Sequence, residues 1–150
     1  LGPRLYRGPV RTVSQRGESV RGWTVSAGHD GYTRSFGVAV ERELTLSQQG
    51  LALTGVDRIL PARKPRATGF VVRFHIHPDV RLSRAQSGDV LLKLPNGEGW
   101  RFRTSLPVAV EESIYFGGPA PRRCEQLVLT GEMQGAPVEI TWVFEQIGAA

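Results

Sequence analysis

The chain has 150 residues and 16.5 kDa, with 40% hydrophobic and 22% charged residues, a net charge of +5 and a pI near 10.1. That composition fits one compact domain with a real core, and excludes a disordered chain. No run of about 18 apolar residues exists to span a bilayer as a helix, and a lone cysteine, Cys124, excludes a disulfide scaffold.

The first residue is Leu1, with no basic-then-apolar leader. The expectation is a piece of a longer protein, read over residues 1–150 as one domain. Its compartment is left open between bacterial periplasm and cytoplasm. Of nineteen basic residues only Lys64 and Lys93 are lysines. Arginine's planar fork suits carboxylate, sulfate or phosphate, so an acidic glycan or nucleic acid is one reading and a charged surface coat the other. The arginines are spread along the chain and no nucleic-acid-binding module is recognisable, which argues against nucleic acid.

In chain order, the first feature is His29-Asp30-Gly31-Tyr32, followed by Arg34 and Gly37. Gly31 predicts a tight turn. The four polar side chains suit either acid–base work on an anionic substrate or a strand corner in which Asp30 bonds its own backbone and Tyr32 packs. Leu44–Leu46 and Leu51–Leu53 flank Ser47-Gln48-Gln49-Gly50, which predicts a hairpin with Gly50 at positive φ. The span 61–69 carries two prolines and several basic residues, and predicts an exposed connection inside the domain.

Phe70, Val72, Phe74 and Ile76 alternate with Arg73, His75 and His77, the period of a half-buried strand. On such a strand His75 and His77 share a face, so they are candidates to grip a metal, or to serve as hydrogen-bonding groups. A Glu four residues later would complete a cupin-type site, but that position is Arg81. Trp100 and Phe102, then Val108, Val110 and the apolar end 114–116, predict further strands. Cys124 follows two arginines but opens an apolar run with Leu127 and Leu129, so burial is expected rather than reactivity. Val138, Ile140, Trp142 and Phe144 predict a last amphipathic strand. Turn signals at 87–89, 95–97, 117–119 and 134–135, with eighteen Gly and ten Pro, punctuate the chain. The sum is an all-β fold: an antiparallel β-sandwich of about ten strands.

Five segments, SAGHDGYTRSFGVAVERELTLSQQGLALTGVDRILP, RFHIHPDVRLS, NGEGWRF, EESIYFGG and PRRCEQLVLTGE, together resemble the C-terminal β region of the heparinase II/III-like proteins, in the family's order and over nearly the whole chain. The resemblance implies a larger toroid-plus-sandwich lyase. An N-terminal α/α toroid, absent here, would enclose a cleft with the β-sheets. It implies cleavage of uronic-acid polysaccharides by β-elimination, in which the uronate carboxylate is neutralised, a base removes the C5 proton and an acid protonates the leaving oxygen. The family's catalytic Tyr and His, and its metal ligands, belong to segments preceding Leu1. No catalytic residue and no cofactor is therefore expected in this stretch, while the resemblance leaves room for a divalent metal such as zinc in the full-length protein.

What the resemblance carries onto this chain is a set of cleft-lining, substrate-binding candidates: His29, Tyr32, Arg34, Arg42, His75 and His77. Relatives often have His-Arg-Arg where this chain reads Val40-Glu41-Arg42, which puts substrate preference in question. The expected partners are an acidic polysaccharide and the toroid, with neither nucleic acid nor membrane. The alternative is a stand-alone acidic-glycan-binding module using Trp23, Trp100 or Tyr32 as sugar platforms. A third reading is a small metalloenzyme on His75 and His77.

Overall fold

A computed structural model of the chain describes residues 8–62, 64 and 69–148. The predicted connection at 61–69 lies mostly outside them. Among the described residues there are eleven strands and one helical turn: β1 (Thr12–Ser19), β2 (Gly22–His29), α1 (Thr33–Phe36), β3 (Val38–Leu46), β4 (Ala52–Pro61), β5 (Gly69–His75), β6 (Arg81–Arg84), β7 (Val90–Lys93), β8 (Gly99–Thr104), β9 (Val108–Tyr115), β10 (Arg122–Glu132) and β11 (Val138–Ile147). All strand pairs are antiparallel. They form an eight-stranded sheet, β1-β2-β3-β4-β11-β8-β7-β6, and a three-stranded sheet, β5-β10-β9.

The amphipathic strands behave as their period demands. Val138, Ile140, Trp142 and Phe144 share one face of β11, and their cross-strand partners Ile59, Asp57, Gly55 and Leu53 share that face of β4. Phe70, Val72 and Phe74 of β5 pair with Gly131, Leu129 and Leu127 of β10 and close the other side. Phe74 stands at the centre, with its ring 5.2 Å from Phe102, 4.8 Å from Trp142 and 5.9 Å from Phe144. Phe102, Leu127, Leu129, Ile140 and Val90 are fully buried; each such side chain contributes about 1.5–3 kcal/mol through its removal from water.

The hairpin between β3 and β4 closes as expected. Gly50 has φ 71°, and the Ser47 hydroxyl accepts the Leu51 and Ala52 amides at 3.1 and 3.0 Å. No helix among the described residues is long and apolar enough to cross a membrane.

Two details differ from expectation. Cys124 is buried, yet it faces away from Leu127 and Leu129, since its parity along β10 is opposite to theirs. It shares the outer face of the small sheet with Gln126 and Val128, also buried. Side chains from the flanking strands meet over β10 and cover them: Arg73 bonds Glu111 at 3.2 Å, and His75 Nδ1 lies 3.0 Å from Ser113 Oγ. Many arginines, moreover, are paired in cross-strand ladders. Arg58 donates to Glu139 at 2.9 Å, while Arg101 and Arg103 both donate to Glu145, at 2.8 and 3.1 Å. Each such surface pair contributes up to about 1 kcal/mol, so much of the positive charge is locally neutralised.

Candidate ligand cleft

Eight strands cannot all be covered by three. The inner face of β1–β3 extends beyond the small sheet, and a cleft of about 820 Å³ opens where β1–β4 pass the free edge of β5. His29, Tyr32, Phe36, Arg42 and Asp57 line it, with Val38, Val40, Ile59, Phe70 and Val72 as its apolar walls.

The His29-Asp30-Gly31-Tyr32 stretch forms one rim. It ends β2 and leads into α1, which Gly37 closes in the left-handed conformation at φ 74°. Asp30 holds its own turn through its carbonyl, which accepts the Thr33 amide at 2.9 Å, and its carboxylate reaches further. Its Oδ1 accepts the amides of Val10 and Arg11 at 2.9 and 3.0 Å, while the Asp30 amide donates to Arg11 O at 3.2 Å. The carboxylate therefore clamps the entry to β1. Gly31 N–H donates to His29 Nδ1 at 3.2 Å, so a neutral His29 ring carries its proton on Nε2. The rings of His29 and Tyr32 lie 5.4 Å apart, those of Tyr32 and Phe36 6.1 Å, with Tyr32 and Phe36 about half exposed.

The Arg11 amide, with help from that of Val10, holds the Asp30 carboxyl below its ordinary range against the opposing effect of desolvation. The clamp is therefore complete above the unfolded carboxylate range and is lost as pH falls through the lowered folded value. The protection of the Val10 and Arg11 amides against hydrogen exchange, relative to unstructured amides at the same pH, is expected to fall under acid while the β10 amides stay protected; unchanged protection of both segments across that range would refute the clamp.

The floor is an ionic cluster. Arg42 Nε and Nη2 donate to the two carboxylate oxygens of Asp57 at 2.5 and 2.8 Å, and Trp142 Nε1 donates to Asp57 Oδ2 at 2.9 Å. The Arg42 guanidinium lies 5.5 Å from the ring centroids of both Phe74 and Trp142, within cation–π range. Asp57 is buried, and the Arg42 side chain is two-fifths exposed (41%).

Of the six candidates from the sequence, the cleft thus gathers His29, Tyr32 and Arg42. Arg34 lies on α1, exposed and outside the lining. His75 ends β5 of the small sheet and His77 follows it, both away from the cleft. His75 meets Ser113. His77 lies past the end of β5, where its Nδ1 accepts the Asp79 amide at 3.3 Å and its ring stands 4.8 Å from Tyr115. Arg122 donates to Asp79 Oδ1 and lowers that carboxyl's pKa. Among the described residues no three His, Cys, Asp or Glu side chains gather with metal-binding spacing. Asp57 was missed. Its signal was an acidic residue at an inward position between Gly55 and Ile59, where a carboxylate demands a buried partner.

The fold and the cleft define a two-sheet β-domain of the heparinase type. The chain belongs to the heparinase II/III-like family: its C-terminal family model matches residues 2–143. Among individual proteins, it is 33% identical over 144 residues to the FtsZ-localized protein C of Caulobacter vibrioides, covering 89% of this chain and 25% of that protein. Its fold is that of the heparan sulfate lyase HepC of Pedobacter heparinus (TM-score 0.69, 12% identity, 92% of this chain and 22% of that one). A heparinase III is also similar (TM-score 0.64, 12% identity, 91% and 22%). The chain therefore spans about a quarter or less of these relatives.

Proposed function

We propose that this domain is one wall of the substrate cleft of a heparinase II/III-type polysaccharide lyase acting on uronic-acid glycans by β-elimination, and that it binds substrate rather than reacting with it. The observation that supports this most is the meeting of His29, Tyr32 and Arg42 in one cleft of a heparinase-type fold. His29 Nε2–H is a donor for a sugar oxygen or carboxylate, Tyr32 and Phe36 offer ring faces, and Arg42, fixed by Asp57, presents a cation that is partly in water. β-Elimination also needs a base for C5 and an acid for the leaving oxygen; this reading assigns them to the rest of a longer protein.

The test is titration of the chain with a uronate–hexosamine tetrasaccharide. Binding is expected, with a salt-sensitive affinity. His29→Ala is expected to weaken it about tenfold, the loss of one hydrogen bond to a charged group. No unsaturated uronate is expected to accumulate with the chain alone. Absence of binding, or turnover by the isolated chain, would overturn the proposal.

The 33% identity with the FtsZ-localized protein, higher than with the lyases, favours a second reading. In it the domain is a module of an FtsZ-localized protein. Capture of purified FtsZ by the chain, together with no affinity for the tetrasaccharide, would favour it.

A further inference from the structure

We infer that the cleft continues along β1 and β2 into a distal subsite, in which Arg16 and Trp23 hold further rings of the same acidic oligosaccharide. This rests on the glycan reading of the cleft and extends it beyond His29.

The inner face of the β1–β2 hairpin runs in rows set by its register. Thr12 and His29 form one row and Ser14 and Ala27 the next, all four lining the cleft. Arg16 and Val25 then pair, followed by Glu18 and Trp23, with Leu44 and Leu46 of β3 beside them. The small sheet does not reach these last rows. Trp23 is 47% exposed, Val25 41% and Leu46 40%, although they share a face with the core residues of β4 and β11. Large apolar side chains left bare on an inward sheet face, continuous with a cleft, mark a binding surface. Among the described residues Arg16 has no carboxylate within ion-pair distance, in contrast to the laddered arginines of the outer face.

The chemistry favours a sugar chain as occupant. A pyranose offers one C–H-lined face that stacks on an indole, and a uronate carboxylate or a sulfate fits the Arg16 fork bidentately. Trp23 is six residues from His29 along β2, about 20 Å at ~3.3 Å per residue, so only a chain of several rings spans both. Glu18 stands directly across from Trp23 and repels an anionic ring there. The order is then an acidic ring at Arg16 and an uncharged ring on Trp23.

The test compares unsulfated uronate–N-acetylhexosamine tetrasaccharides and octasaccharides by calorimetric titration of the chain. The octasaccharide is expected to bind about tenfold tighter than the tetrasaccharide. Trp23→Ala and Arg16→Ala should each remove most of that gain and leave tetrasaccharide affinity unchanged, with thermal unfolding confirming that each variant folds. Octasaccharide should also shift Trp23 fluorescence, read as the signal lost in Trp23→Ala. Tetrasaccharide binding with no gain in length, or a gain that both variants retain, overturns this inference alone. No binding of either length overturns the cleft reading with it. Concentration-dependent self-association that shields Trp23 would assign the surface to a second copy and overturn the subsite.

Discussion

Replacing Gly55 by alanine is expected to destabilise the chain by about 3 kcal/mol, the upper end of the cost of overpacking a core. In a chain of this size that lowers Tm by roughly 6–12 °C. Two effects oppose each other at this position. Glycine inside a strand is less favourable than alanine by about 0.5–1 kcal/mol, so propensity alone predicts a gain. The indole of Trp142 decides the sign. It lies over Gly55 from the neighbouring strand, and a Cβ there would fall 2.0 Å from Cζ2 and 2.2 Å from Cε2. Trp142 cannot move aside. Its Nε1 is tied to Asp57, and its ring is pinned edge-on by Phe74 at 4.8 Å and by Phe144 at 5.8 Å. Urea unfolding of Gly55→Ala is the direct measurement. Adding Trp142→Leu should recover part of the loss, a coupling expected of residues in contact; a stable Gly55→Ala variant would show that the indole has room to shift.

That same contact shows which parts of the fold were legible in the sequence. Trp142 was readable as inward-facing because Val138, Ile140 and Phe144 repeat at period two, and the structure has them so. The partner it needs lies 85 residues away, and no local pattern points from Trp142 to Asp57. β1 carries almost no apolar residues and all eight of its positions are exposed, so periodicity could not mark it. Pairing to β2 forms it. The turn at Gly31 was legible, but the reach of the Asp30 carboxylate to Val10 and Arg11 across the sheet edge was not. Local sequence favours an Asx turn; the approach of β1 supplies better-placed donors. Of the cleft, the motif residues His29 and Tyr32 were visible. The cleft itself was not, because it arises from the mismatch between an eight-stranded and a three-stranded sheet, a property of strand order rather than of any segment.

Arg42→Leu is expected to cost about 3 kcal/mol of stability, and the reason separates two roles for this arginine. If Arg42 served only to bind ligand, its loss would abolish binding and leave unfolding unchanged. The geometry predicts otherwise. Asp57 is buried and takes two of its three hydrogen bonds from the Arg42 guanidinium, the third coming from Trp142. Removing the cation leaves a carboxylate in the floor with one indole N–H, and stranding a buried charge typically costs about 3–5 kcal/mol. The lower end applies here because the Arg42 side chain is partly in water, so solvent can reach the vacated space. The sharper measurement is the second substitution. Asp57→Asn in the Arg42→Leu background replaces a stranded charge by a neutral amide whose oxygen still accepts the Trp142 N–H, so the double variant should be more stable than Arg42→Leu alone. In the unaltered background the same Asp57→Asn change should destabilise, because an amide cannot accept both arms of the guanidinium. Opposite signs for one substitution in two backgrounds are what an ion pair requires; equal signs would mean that Arg42 and Asp57 do not act as a pair, and the fixed cation of the cleft would lose its anchor.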